Sequence, residues 1–557
     1  MKLNPNASSF VPKFVAKPAA PAPAAPVAVV AEPVAAPVVA EPTPTPAPVE
    51  TKEEPTTTAT TTSVSSIKTE EDLENIKPTE SVYKVEDDDI EDDDEVDEVA
   101  EKIEQVVKVL PEDSREHLNI VFLGHVDAGK STLSGSIMVL TGQVDPHTLA
   151  KYEREAKENH REGWIYAYIM DTNEEERTKG KTVEVGRAHF ETTKKRYTIL
   201  DAPGHRLYVP NMIIGAAQAD VGILVISSKK GEFEAGVEGG QTIEHARLAK
   251  MIGIKYLVVF VNKMDEPTVK WSKARYDEIT DKLTVHLKKC GWNPKKDFHF
   301  VPGSGYGTLN VLAPLAPGVC DWYSGPSLIG TLDNLSGMER NEGGALRIPI
   351  TTSYKDRGIV NVIGKVESGT ISVGQSIHIM PGKTKVEVIS LTGDICSFKT
   401  ARPGENITIA LKGIEGDDSI RPGSILAEIN RPVPVVSEIE AIVYILDMPE
   451  ERRLFTPSFS AIFHAHTAVE DVTVKSLIAT IDTKTSTEIK QKPTFCKVGD
   501  AVKCRLVLGR AVCLEEFTTN PQLARFTIRD STKTIAFGKV INIGKKAKEE
   551  IARQTKA

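Results

Sequence analysis

One loop, caught between a strand and a helix, limits the fold of this chain more than any other segment. Leu118-Asn-Ile-Val-Phe-Leu123 is an apolar run of strand length. It ends directly on Gly124-His125-Val126-Asp127-Ala128-Gly129-Lys130-Ser131, with Thr132 opening a helical pattern that runs to about Leu140. Strand, GxxxxGK[ST] and helix in that order let backbone N–H groups wrap phosphate oxygens at a helix start. Lys130 is expected to reach the β- and γ-phosphates, and the Ser131 hydroxyl to ligate Mg²⁺.

The remaining parts of such a site follow in order. A strand, Tyr197-Thr-Ile-Leu200, runs into Asp201-Ala-Pro-Gly204-His205. Asp201 is expected to hold Mg²⁺ through water, and the Gly204 N–H to sense the γ-phosphate. Strands at Val221–Ser227 and Tyr256–Val261 precede Asn262-Lys263-Met-Asp265. A carboxylate at Asp265 accepts from both N1–H and the exocyclic amine of guanine. Adenine would set an acceptor against it, which is costly in a buried site. Ser304-Gly305-Tyr306, after Phe298-His-Phe-Val-Pro302, fits a last contact, a backbone N–H to the guanine carbonyl. These residues read as a GTP site with Mg²⁺. Thr182, in Lys179-Gly-Lys-Thr-Val183, occupies the place of a switch threonine that closes over the metal. His205 stands where a side chain can position the attacking water, and Lys130, Thr182 and His205 are the expected catalytic set.

Outside that domain the chain divides by composition. Residues 1–110 hold 9 lysines, no arginine and 23 acidic residues, a net of −14, whereas 111–557 carries +4 within a whole-chain charge of −10. Thirteen of the 34 prolines lie at or before Pro55, and 86–98 is an almost unbroken acidic run. Proline removes backbone donors, Ala and Thr offer little apolar area, and like charges repel, so 1–110 reads as a long disordered leader. No apolar run approaches the ~20 residues of a membrane span, and Met1-Lys-Leu-Asn is not a secretory pattern. Six cysteines without a CxxC pair suggest reduced thiols, and the expected location is the cytoplasm. Beyond about residue 335, short alternating strands such as Leu346–Ile350, Ile359–Val366 and Ile407–Leu411, split by Gly and Pro, argue closed or sandwiched β domains. Pro432-Val-Pro434 is the expected linker between two of them, giving units 111–334, 335–433 and 434–547 and a tail at 548–557. His464 and His466 alternate as metal ligands could, but without acidic or Cys partners at ligand spacing they read as ordinary strand histidines.

Two resemblances add to this. Leu3-Asn4-Pro-Asn-Ala7-Ser-Ser-Phe10-Val-Pro12 resembles the PAM2 peptide, which docks into the MLLE domain of poly(A)-binding protein; its Leu, Asn, Ala, Phe and Pro fall on Leu3, Asn4, Ala7, Phe10 and Pro12. Gly124–Thr132, Asp201–His205 and Gly231-Glu-Phe-Glu-Ala-Gly236 resemble the translational GTPases related to elongation factor one-alpha. The switch segment Lys179–Thr192, with Arg206-Leu-Tyr-Val-Pro-Asn-Met212 and Leu523-Ala-Arg-Phe-Thr-Ile-Arg-Asp530, is similar to the eukaryotic peptide chain release factor GTP-binding subunit. That resemblance, over about 111–547, implies an α/β P-loop GTPase domain followed by two antiparallel β-barrels. It also implies a GTPase that escorts the class 1 peptide chain release factor to a stop codon on the ribosome and its ribosomal RNA. An elongation-type carrier of aminoacyl-tRNA, and a scaffold with a purely structural nucleotide site, are the competing readings. Gly239-Gly-Gln241 imitates the peptide-releasing tripeptide of class 1 factors, but it lies inside the GTPase domain between a strand and a helix.

Overall fold

The computed structural model describes residues 115–170, 182, 185–238, 240–335, 340–356, 358–393, 397–414, 420–482, 485, 487–530, 533–544 and 548. The leader, with Leu3–Pro12, lies outside the described residues.

Six strands form the first sheet: β1 (Glu116–Leu123), β2 (Gly186–Glu191), β3 (Lys195–Asp201), β4 (Val221–Ser227), β5 (Tyr256–Asn262) and β6 (Phe298–Pro302). Their order is β2-β3-β1-β4-β5-β6, parallel throughout except for β2, which pairs antiparallel with β3 at the edge. Helices cover both faces, among them α1 (Lys130–Leu140), α2 (Val209–Gln218), α3 (Gln241–Ile252), α4 (Lys273–Lys289) and α5 (Leu328–Asn334). Alternate strand residues serve two cores. Ile120, Phe122, Val225 and Phe260 pack with Leu133 and Ile137 of α1 and Leu328 of α5. Val121, Leu123, Leu224 and Val259 pack with Met212 of α2, Ala246 of α3 and Leu283 of α4. Because both faces are covered, β4 is buried along its whole length and shows no polar alternation.

The remaining strands close two barrels. In the first, β7 (Arg347–Asp356), β8 (Ile359–Lys365), β9 (Ser376–Met380), β10 (Thr384–Thr392), β11 (Asn406–Lys412) and β12 (Ile425–Glu428) run in the order β9-β12-β7-β8-β11-β10. Pairing of Ile377 with Val386 closes the ring between β9 and β10. In the second, β13 (Val435–Ile445), β14 (Ser460–Ala465), β15 (Ala468–Ile481), β16 (Ala501–Cys513), β17 (Arg525–Asp530) and β18 (Lys533–Asn542) run β14-β17-β18-β13-β16-β15. The hairpin pairing of Ala465 with Ala468 begins the ladder that closes it. All pairings in both barrels are antiparallel. This is the fold class that the sequence and its resemblance imply.

Buried polar contacts tie the three domains together. Asp220 takes both Arg340 and Lys365 at 3.0 Å. Glu405 of the first barrel pairs with Arg196 of β3 at 2.8 Å, and Asn119 donates to the Gly404 carbonyl at 2.7 Å. Arg347 joins the barrels through Glu515 at 2.7 Å. Helix α3 meets the second barrel where Thr534 donates to Glu244 at 3.2 Å.

His464 is buried and His466 half-buried, and among the described residues no cluster of three or more His, Cys, Asp or Glu is placed to hold a metal. His466 Nε2 lies 3.0 Å from the Cys513 carbonyl. Burial pushes both rings down to about 4, with Arg529 adding to the effect at His464. The unfolded chain therefore binds protons below about pH 6.5 that the folded chain refuses until about pH 4. Stability is expected to fall as pH drops through that window, by on the order of 3 kcal/mol for buried His464 alone. Asp220 is held far below the usual carboxylate range, burial being outweighed by Lys365 and Arg340, so its loss begins only at lower pH. Denaturant midpoints measured between pH 7 and 4 check this; a flat profile above pH 4.5 would contradict it.

Candidate guanine-nucleotide site

Apart from Thr182, which precedes β2, the predicted site residues of this domain lie at or just beyond the carboxyl end of a strand of the first sheet: Gly124–Ser131 after β1, Ala202–His205 after β3, Lys263–Asp265 after β5 and Ser304–Tyr306 after β6. That edge of a parallel sheet is where ligands bind in open α/β folds. The loops enclose a cleft of about 560 Å³ lined by Val126, Asp127, Gly129, Lys130, Ser131, Thr132, Thr182, Gly204, His205, Asn262, Lys263, Asp265, Ser304 and Tyr306. Gly124, His125, Ala128, Asp201 and Gly305 shape the walls without lining it.

The glycines are required by close approach. Gly129 caps α1 at φ 93°, and a Cβ there would stand 2.4 Å from Asn262 Nδ2. A Cβ on Gly204 would stand 2.4 Å from Lys130 Nζ. Lys130 is nearly buried and donates to the His125 carbonyl at 2.9 Å, folding back over its own loop. Burial lowers its ammonium against the opposing pull of Asp201 and Asp127. Asp201 itself is fully buried at the end of β3.

Ser131 Oγ and Thr182 Oγ1 lie 3.1 Å apart across the mouth of the cleft. Two adjacent ligands of an octahedral Mg²⁺ with bonds of about 2.1 Å stand about 3.0 Å from each other, so the pair fits that ion. His205 opens a short 3₁₀ turn, where its Nδ1 accepts the Leu207 N–H at 3.3 Å, and its ring sits 5.8 Å from that of Tyr208.

Asn262 is spent on architecture. Its amide donates to the Ala128 carbonyl at 2.9 Å, and its oxygen accepts from Gly305 N and Lys263 N, both at 2.8 Å. The backbone donor expected at Ser304-Gly305 is therefore engaged inside the protein: Gly305 N–H goes to Asn262, and Ser304 N–H to the Leu309 carbonyl at 3.0 Å. Asp265 borders the cleft, and a Cβ on Gly307 would stand 3.1 Å from its Oδ2.

Several residues of the site carry no local sequence signature. Gly163, Trp164 and Ala167 also line the cleft, and Tyr166 packs edge-on to Tyr306 at 6.2 Å. Fully buried His245, on α3, accepts the Gly124 N–H on Nδ1 at 3.3 Å. Burial, with Lys130 nearby, pushes that ring down to about 3, keeping it neutral and able to accept. Glu232 also lines the cleft; burial works to raise its carboxyl, but hydrogen bonds from Lys263 and Ser227 outweigh it and hold it low. Gln241 begins α3, preceded by a short helix (Glu232–Val237) rather than directly by a strand, and its backbone N–H meets His125 Nδ1 at 3.5 Å. Gln241 is thus part of the support behind the phosphate loop.

A P-loop nucleotide-binding domain followed by two closed antiparallel barrels defines the elongation factor Tu type of GTP-binding protein. Family models agree, matching the elongation factor Tu GTP binding domain at 115–337, elongation factor Tu domain 2 at 360–427 and the GTP-eEF1A C-terminal domain-like family at 438–541. The eukaryotic peptide chain release factor GTP-binding subunit of Candida maltosa is 47% identical over 442 residues, 79% of this chain and 61% of that one. Its counterpart in Kluyveromyces lactis is 45% identical over 442 residues, 79% of this chain and 62% of that one. The chain belongs to this family of release factor GTP-binding subunits. It spans about three fifths of the length of these curated relatives. The Saccharomyces cerevisiae Ski7 GTPase-like domain has the same fold, with a TM-score of 0.62 at 18% identity over 76% of this chain and 97% of that one.

Proposed function

We propose that this protein is a GTPase of translation termination, which binds the class 1 release factor in its GTP form and carries it to stop codons on the ribosome. One observation above all supports the reading: the cleft joins a phosphate loop, a switch threonine and a guanine-selecting Asp265 within a chain 45–47% identical to release factor GTP-binding subunits. GTP hydrolysis lets the partner settle and release the peptide.

Each part of the cleft has a separate task. Lys130 moves from the His125 carbonyl to the β- and γ-phosphates, where charge-assisted bonds replace a neutral one. Ser131 and Thr182 would hold Mg²⁺ directly, with Asp201 behind them. The ion, when bound, supplies charge neutralisation on the phosphate oxygens. Thr182 ties the switch segment to the nucleotide, so loss of the γ-phosphate releases that segment. His205 orients the attacking water. With Nδ1 accepting from Leu207, a neutral ring carries its proton on Nε2, which suits it to steer water rather than to abstract a proton.

Leu3–Pro12 gives the leader a second partner, the MLLE domain of poly(A)-binding protein, with Leu3 and Phe10 as its apolar anchors. Phe10→Ala is expected to weaken that binding at least about 10-fold, one lost aromatic anchor at a hot spot. Calorimetric titration of the full chain with an MLLE domain checks it, and unchanged affinity would remove this partner. The termination reading is tested by recovery of partners on immobilised, GTP-loaded full chain: class 1 release factor is expected, and aminoacyl-tRNA in its place would make the chain an elongation-type carrier.

A further inference from the structure

Lys263 spans the two halves of the cleft, since its ammonium donates to the Asp127 carbonyl of the phosphate loop at 2.8 Å while its backbone opens the guanine-selecting loop. Both residues in that contact have left-handed backbones, Asp127 at φ 60° and Lys263 at φ 61°. That conformation costs a residue other than glycine roughly 1–2 kcal/mol, which the contacts of Lys263 help to offset. The contact on the far side of the ammonium is Glu232 Oε2, at 2.7 Å. The same oxygen accepts from Ser227 Oγ at 2.8 Å, which fixes the carboxylate to the end of β4. Glu232 Oε1 faces Lys229 at 3.3 Å, and Lys229 also lies 3.9 Å from Glu266. A short relay therefore runs from β4 through Glu232 and Lys263 to the phosphate loop. Of its two charges, the carboxylate meets the guanine-selecting loop through the Lys263 ammonium.

We propose that Glu232 is a positioning residue of the nucleotide site, holding Lys263 across the phosphate loop and thereby setting how long a guanine nucleotide stays bound. The proposal rests on the assignment of this cleft as the guanine-nucleotide site. Glu232 acts through Lys263, so its effect falls equally on GDP and GTP, neither favouring the γ-phosphate nor altering the chemical step.

Displacement of a fluorescent GDP from the full chain, followed by stopped flow, separates the possibilities. Glu232→Gln keeps the shape, loses the charge-assisted bond and is expected to speed GDP release about 10-fold, with the same factor for a non-hydrolysable GTP analogue. Lys263→Ala is expected to speed release at least as much. The double variant should then be no faster than Lys263→Ala alone, within about two-fold, because one relay is cut twice. Lys229→Ala, which touches only the other carboxylate oxygen, serves as the comparison and should stay within about two-fold of the unaltered chain. Should Glu232→Gln fail to fold, Glu232→Asp, with the charge kept and the reach shortened, should give an intermediate rate. Release from Glu232→Gln within two-fold of the unaltered chain would overturn the proposal. So would a double variant whose factor is the product of the two single ones, or a Glu232→Asp rate equal to the unaltered one. Failure of the unaltered chain to hold GDP would instead overturn the nucleotide site itself.

Discussion

Changing Asp265 to Asn is expected to lower GTP affinity by about three orders of magnitude and to give xanthosine triphosphate the advantage. The carboxylate accepts two hydrogen bonds from guanine, at N1–H and at the exocyclic amine. An amide keeps the first but sets its own N–H against the amine, leaving a donor facing a donor in an enclosed site. The first bond loses its charge and the second gives way to an unpaired donor, each worth about 1.5–3 kcal/mol, and together they account for the expected factor. Xanthine carries a carbonyl where guanine has the amine, so the new amide finds an acceptor. The remaining contacts do not depend on the base: Asn262 still joins Ala128 to Gly305, and Lys263 still reaches Asp127. Equilibrium titration of both triphosphates into both proteins gives the comparison. Undiminished GTP affinity in the Asn variant would mean that the base does not lie against Asp265.

His205→Ala is expected to lower ribosome-stimulated GTP turnover by about 10²-fold or more while leaving GTP affinity within about two-fold. His205 borders the cleft on the 3₁₀ turn after β3, and no hydrogen bond of the phosphate loop runs through it. Its contribution therefore belongs to the transition state and not to ground-state binding. Gln at this position presents a carboxamide that can also orient water, so His205→Gln should retain most of the activity that Ala loses. Turnover on stop-codon ribosomes with class 1 factor present, set beside nucleotide affinity, reads both quantities. Undiminished turnover in the Ala variant would favour the scaffold reading, in which the nucleotide only supports the fold.

Much of this site could be read in the sequence because each loop follows its strand without interruption. A strand of covered parallel sheet is a short apolar run, and the residues that end it, Gly124, Asp201, Asn262 and Ser304, are placed by chain position alone. The barrels were legible as alternation, but their closure depends on Ile377 meeting Val386 and Ala465 meeting Ala468, pairings that periodicity does not reveal. Residues that work through tertiary contact left no trace. His245 lies 121 positions from the Gly124 N–H it accepts, and Glu232 matters only because β4 and β5 are neighbours. Gly231–Gly236 was informative as a family signature and silent about the clamp it supplies. The partners of the Ser304 and Gly305 N–H groups, the Leu309 carbonyl and Asn262, were hidden for the same reason.

We propose above that the GTP form of this chain carries a class 1 release factor. The most direct test of that is the affinity of purified class 1 factor for the full chain, measured with a non-hydrolysable GTP analogue and again with GDP. Tight binding that favours the GTP analogue is expected, with no competition from aminoacyl-tRNA. Equal or undetectable binding in both nucleotide states, or displacement of the factor by aminoacyl-tRNA, would contradict it.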